Sequence, residues 1–179
     1  SVLTANISSV SSLDLDSLSI SDLTGIEGFT ALTYLECTNN QLTSLDVSKN
    51  TALTKLQAYN NLLTSVDLST NTALTYFSGT NNQLTTLDLT NNTVLDTVYC
   101  RNNQLATLDV STNNALIKLN IENNKLTTLD LSGNTALTFL DFDDNQLTTL
   151  DVSNNTALIR LMGNDNQLTT LDVSTNNAL

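Results

Sequence analysis

The chain has 179 residues, no histidine, and 18 acidic against 6 basic side chains, giving a formal charge of −12. This balance disfavours nucleic acid and anionic membrane surfaces, which attract basic patches. Without histidine there is no Ser-His-Asp or Cys-His catalytic arrangement and no His-bearing zinc site. No apolar run approaches the ~20 residues of a membrane span, so no membrane insertion is expected.

Ahead of residue 32, Leu13 stands 22 positions before Leu35. From Leu32 to Ala178 one phrase then recurs seven times without an insertion, its anchors being Leu35, Leu56, Phe77, Val98, Leu119, Leu140 and Leu161, each 21 positions after the last. A fixed period of this length predicts a solenoid, in which each copy buries the apolar edge of its neighbour. Apolar residues make up 40% of the chain but aromatics only 4%, so its core should be filled by aliphatic ladders.

Within one copy, Lys55-Leu56-Gln57-Ala58-Tyr59 alternates outward and inward, as a half-buried strand does. Asn60-Asn61 turns the chain. Ser65-Val66-Asp67-Leu68-Ser69 alternates again, and Thr70-Asn71-Thr72-Ala73 turns back. With no room for an ordinary helix, stacked copies should form two ribbons of parallel strands on opposite sides of a thin coil. Residues 32–179 are thus read as seven repeats. No signal peptide is visible at Ser1, and Leu179 opens what would be another copy with no polar cap over it. The sequence therefore reads as an excised fragment or mature segment.

Two asparagine columns are invariant, Asn40 through Asn166 and Asn50 through Asn176, each at steps of 21. A residue demanded in every copy serves the coil before it serves a ligand: asparagine tolerates unusual backbone angles, and its amide both donates and accepts. Cys37 and Cys100 share one column with Ala58, Gly79, Ile121, Phe142 and Gly163, which marks that column as interior. Three ~4.8 Å strand spacings separate the two thiols, too far for a disulfide.

These residues resemble the leucine-rich-repeat family, and within it the bacterial 21-residue class in which LxxLxCxxNxL is followed by xxLDLSxN. That class occurs in some Listeria internalins and in many repeat proteins of the Bacteroidetes. The quoted match is LTYLECTNNQLTSLDVSKNTA, Leu32–Ala52. Ile20–Gly28 looks like a longer internalin-type repeat, and Thr4–Leu18 like the remnant of an N-terminal cap, so residues 1–31 form the lead-in. The resemblance implies an arc-shaped solenoid with a concave parallel sheet, short extended or β arms on its convex face and little helix. It also implies secretion or display at a bacterial cell surface. The cysteine column departs from the class pattern, since Cys is kept in only two copies.

Candidates for chemistry are few. Asp141, Asp143 and Asp144 form a carboxylate group that reads as a solvated acidic patch rather than an acid–base pair. Asp46, Asp67, Asp88, Asp109, Asp130, Asp151 and Asp172 form a column whose neighbours should repel. Flanking rows of hydroxyls, Ser44 through Thr170 and Ser48 through Ser174, are placed to donate to these carboxylates. A row of hard oxygens is also a possible Ca²⁺ ladder, and a regular Thr/Ser lattice raises ice binding, against which the charged column weighs. No metal or cofactor is called for.

Variation is concentrated on the outward positions of the first strand. All four tyrosines lie there, with four of the six basic residues. Rings and arginines are what binding hot spots favour, whereas drift would scatter aromatics over both faces. The candidate ligand-binding residues are Tyr34, Lys55, Tyr59, Tyr76, Tyr99, Arg101, Lys118, Phe139 and Arg160, with four tyrosines around the small trio Ser78-Gly79-Thr80. The expected function is a non-enzymatic binding or adhesion module for a protein or glycan. The alternative is a spacer or adhesin stalk, with cation binding on the aspartate column.

Overall fold

The structure, a computed structural model, describes residues 7–179. Thr4, Ala5 and Asn6 of the expected N-terminal cap lie outside them. Eight three-residue strands make one sheet: β1 (Ser12–Asp14), β2 (Tyr34–Glu36), β3 (Lys55–Gln57), β4 (Tyr76–Ser78), β5 (Thr97–Tyr99), β6 (Lys118–Asn120), β7 (Phe139–Asp141) and β8 (Arg160–Met162). They pair in parallel in chain order. The fold is a leucine-rich-repeat solenoid of about seven turns.

Register follows the repeat. Leu35 pairs with Leu56, Leu56 with Phe77, and so on to Leu161, and the 22-residue step brings Leu13 opposite Leu35. In-register stacking puts each anchor side chain on the one before, and Leu35, Leu56, Val98, Leu119 and Leu140 are fully buried. Burying one such side chain contributes about 1.5–3 kcal/mol. The ladder runs past the strands themselves, since Ala58 N–H donates to Ser78 O and Asn60 N–H to Thr80 O. One turn of 3-10 helix, Ile26–Gly28, follows Gly25, whose φ of 105° only glycine adopts readily.

The second arm differs from the expected second ribbon of strands. Its inward residues do close the coil, with Val47, Leu68, Leu89, Val110, Leu131 and Val152 buried. No second sheet forms among the described residues, and several backbone groups at the arm's end are taken by other partners. The Ser48 N–H donates to Asp46, while the Val47 carbonyl accepts from the Asn50 N–H and the Asn71 side chain. The arms are extended but unpaired.

Both asparagine columns hold backbone. Asn61 Nδ2 donates to Cys37 O at 2.9 Å and to Ala58 O at 3.2 Å, while its Oδ1 accepts from Leu42 N at 3.0 Å. One amide thus ties two turns together. Asn113, in the second column, donates to Leu89 O and Asn92 O, but its Oδ1 is buried without a partner, as in every copy from Asn50 to Asn176. Cys37 and Cys100 are free and buried, and burial pushes both thiols up to about 12.

A third asparagine row is a structural device that the sequence reading missed. Asn39, Asn60, Asn81, Asn102 and Asn123 have φ between 52° and 55°, the left-handed region that asparagine enters more readily than most residues other than glycine. Asn60 donates to Asn39, Asn81 to Asn60, Asn102 to Asn81 and Asn123 to Asn102. The signal in the sequence was the restriction of this corner to Asn or Asp.

Candidate ligand-binding face

The strand residues beside the anchors project from the outer surface of the sheet, one set per turn. Stacking at strand spacing therefore decides which candidates meet. Lys55 on β3 reaches between its neighbours, its ammonium 5.3 Å from the Tyr34 ring centre and 4.8 Å from that of Tyr76. Tyr76 in turn meets Tyr99 edge to face, with centroids 5.8 Å apart. The negative ring faces attract the ammonium and the positive ring edge, so this row is held in place before any ligand arrives.

Tyr59, Tyr99 and Arg101 line a concavity of about 230 Å³ with Ser78, Thr80 and Asn120. The trio expected to floor it is split: Ser78 and Thr80 face the concavity, while Gly79 is buried against Phe77 and Leu84. Arg101 lies 3.6 Å from Glu122. Phe139 and Arg160 pair farther along the sheet, guanidinium 5.6 Å from the ring centre. Lys118 is exposed between the two groups and makes no ion pair among the described residues.

Outward position does not ensure exposure. Thr38, Ser78, Thr97 and Asp141 are buried by their larger neighbours. Asp141 accepts from Asn120 Nδ2 at 2.9 Å, and loss of solvent holds its carboxyl above the ordinary range. Tyr34 donates to Glu36 and accepts from Gln57; the bond to Glu36, with burial, pushes its hydroxyl up to about 12. Burial also raises Tyr76.

On the opposite face the aspartate column is settled locally. Each Oδ1 from Asp46 to Asp172 accepts the backbone N–H two residues on at 2.8–2.9 Å. The hydroxyl of that same residue assists, reaching 2.7 Å from Thr90. These bonds hold the carboxyls below the usual range, the backbone N–H leading at Asp46 and the hydroxyl leading at Asp67. The other hydroxyl row, from Ser44 to Thr170, gives the column no bond. Larger furrows, of about 320 and 650 Å³, run between the unpaired arms here. Apart from Asn154, their lining consists of columns that every copy shares, so they follow from arm spacing. Among the described residues no group of three or more Cys, Asp or Glu is placed to hold a metal ion.

No family model matches the chain. Internalin J of Listeria monocytogenes serotype 4b (strain F2365) is 50% identical over 44 residues, which are 25% of this chain and 5% of that protein. The solved functional domain of Listeria monocytogenes InlJ, described as including a cysteine ladder, is 36% identical with a TM-score of 0.56. The match covers 98% of this chain and 49% of that one. The chain thus spans about half of that domain. Internalin C2 of the same species, at 24% identity and TM-score 0.88 over 99% of this chain and 81% of its own, shares the fold. The repeat, the single parallel sheet and these similarities agree: the chain is an internalin-like leucine-rich-repeat protein.

Proposed function

We propose that this is a binding module that holds a protein or glycan ligand on the variable strand face and performs no catalysis. The observation that carries the reading is the ordered row Tyr34–Lys55–Tyr76–Tyr99 beside the concavity of Tyr59 and Arg101. Rings fixed by their neighbours lose little freedom when a ligand arrives, which leaves more of the contact energy as affinity. The spacer reading gives such a row no role, and the opposite face has no aromatic residue. The internalin resemblance supports secretion or cell-surface display, and no helix among the described residues is long and apolar enough to cross a membrane.

Both native thiols are buried, so a maleimide addresses only an introduced cysteine. Gln57→Cys coupled to a maleimide–polyethylene glycol should abolish retention of clones selected on the chain from a phage-displayed peptide library or of sugars selected from a glycan array. Thr128→Cys, coupled likewise on the opposite face, should leave retention intact. The reverse pattern would place the ligand on the aspartate face.

A further inference from the structure

We infer that the concavity between Tyr59 and Tyr99 is a subsite for one pyranose ring of a neutral glycan, a proposal that rests on the strand face being the ligand-binding face. Tyr59 follows β3 and Tyr99 lies on β5, two strand spacings apart and two residues out of register, roughly 12 Å between their backbones, with Ser78 and Thr80 of the intervening turn as floor. The phenol groups of Tyr59 and Tyr99 and the hydroxyls of Ser78 and Thr80 have no hydrogen-bond partner among the described residues. Ser78 is only 4% exposed. Its hydroxyl is not sealed in the interior and lines the concavity, so that opening is its route to a partner.

Two aromatic rings and four unclaimed hydroxyls make a specific demand. An apolar peptide side chain seated here would strip water from all four and return nothing, which is costly for each buried group. A sugar ring meets both needs. Its C–H face carries the partial positive charge that an aromatic face attracts, and its rim of hydroxyls donates and accepts.

The charge pattern selects a neutral sugar. Arg101 is held by Glu122 at 3.6 Å. The Asn120 amide is committed to Asp141 Oδ2 and to the Glu122 N–H. Among the residues lining the concavity no unpaired cation remains for a carboxylate or sulfate, Lys118 standing outside that lining, and a net charge of −12 repels anions at long range. At about 230 Å³ the hollow accepts one ring, so affinity for a single unit is weak and an extended chain gains by engaging neighbouring turns.

The chain contains four tyrosines and no tryptophan, so its tyrosine ring signals are readily resolved by nuclear magnetic resonance. The probes are methyl glycosides and linear oligosaccharides of glucose, galactose, mannose and N-acetylglucosamine at millimolar concentration, with sialyllactose and a heparin disaccharide as anionic arms. At least one neutral sugar should move the Tyr59 and Tyr99 signals and leave Tyr34 in place. Ser78→Ala, which removes a hydroxyl that no protein group uses, should weaken that binding about fivefold with the spectrum otherwise unchanged. Still Tyr59 and Tyr99 signals with every neutral sugar, or a stronger response to the anionic arms, would overturn the proposal. If all sugars fail while Gln57→Cys blocking still abolishes peptide capture, the sugar subsite falls and the strand face stands. If capture maps to the Thr128 face, both fall.

Discussion

Phe142 and Gly163 occupy one interior column on adjacent turns, and a Cβ added to Gly163 would stand 2.6 Å from Cε2 and 2.8 Å from Cε1 of the Phe142 ring. Gly79 makes room for a ring of the neighbouring column: Phe77 is an anchor two residues earlier on the same turn, and a Cβ on Gly79 would stand 2.9 Å from its Cζ. Each oversized ring in a column of smaller side chains is therefore accommodated by a missing side chain beside it. Gly163→Ala should cost about 1–3 kcal/mol by overpacking. Phe142→Leu in the same molecule should recover part of that loss, because the pair shares one space. Urea unfolding of the two singles and the double measures the coupling, and strict additivity would refute it.

The second asparagine column makes a sharper demand than its burial suggests. Asn113 Nδ2 donates at 3.1 Å to Leu89 O and at 2.9 Å to Asn92 O. Asn113→Ala removes both bonds, leaving Leu89 O and Asn92 O only the backbone N–H groups of Asn92 and Leu95, and should cost about 1–3 kcal/mol. Asn113→Asp is nearly isosteric, yet at neutral pH it points an acceptor-only charge at two carbonyls. It should therefore be the more destabilising of the two at pH 7, as read by thermal unfolding.

Two sets of carboxylates respond to pH with opposite sign. Those of the aspartate column are held below their ordinary value by hydrogen bonds. Their contribution is full above the unfolded pKa near ~4 and is lost as pH falls through the depressed folded values. Asp141 is raised by burial, so its contribution is full below the unfolded value and lost as pH rises through the folded one. Tm should fall under acid, whereas Asp141→Asn should raise Tm at pH 7 and lose that advantage near pH ~3. A chelator should leave Tm unchanged and monovalent salt should raise it modestly by screening. A large saturable rise with micromolar Ca²⁺ would make the column a cation site.

Stacking predicts where a cavity is felt. Leu119 is fully buried in the anchor column, so Leu119→Ala should cost about 2–5 kcal/mol and loosen the turns on both sides. Leu179 is 49% exposed, and Leu179→Ala should pass almost unnoticed. Equal melting shifts would contradict nearest-neighbour stacking.

Much of the fold was legible because two periods coincide. Alternation at period 2 assigned Leu56 and Ala58 inward, and repetition at 21 fixed the register that pairs Leu56 with Phe77. The second arm was misread as strand because Val66 and Leu68 alternate there as well; side-chain periodicity does not report that the Ser69 N–H is taken by Asp67. The same limit applies on the candidate face. Sequence placed Tyr34, Lys55, Tyr76 and Tyr99 on one surface, but the seat of Lys55 between two rings depends on rotamers. The burial of Ser78 and Asp141 depends on neighbours a full turn away.

The central claim is that ligand is held by the tyrosine row, and one measurement addresses it most directly: affinity and stability of the Tyr76→Ala/Tyr99→Ala double variant beside Thr128→Ala. The contacts of Tyr76 with Lys55 and Tyr99 predict a stability loss of about 1–2 kcal/mol with the fold retained. Affinity for a ligand retained from the peptide library or glycan array should fall by about 1–3 kcal/mol per ring. Thr128→Ala should change neither. An intact double variant that binds as tightly as the parent chain would contradict the account and leave the solenoid as a spacer.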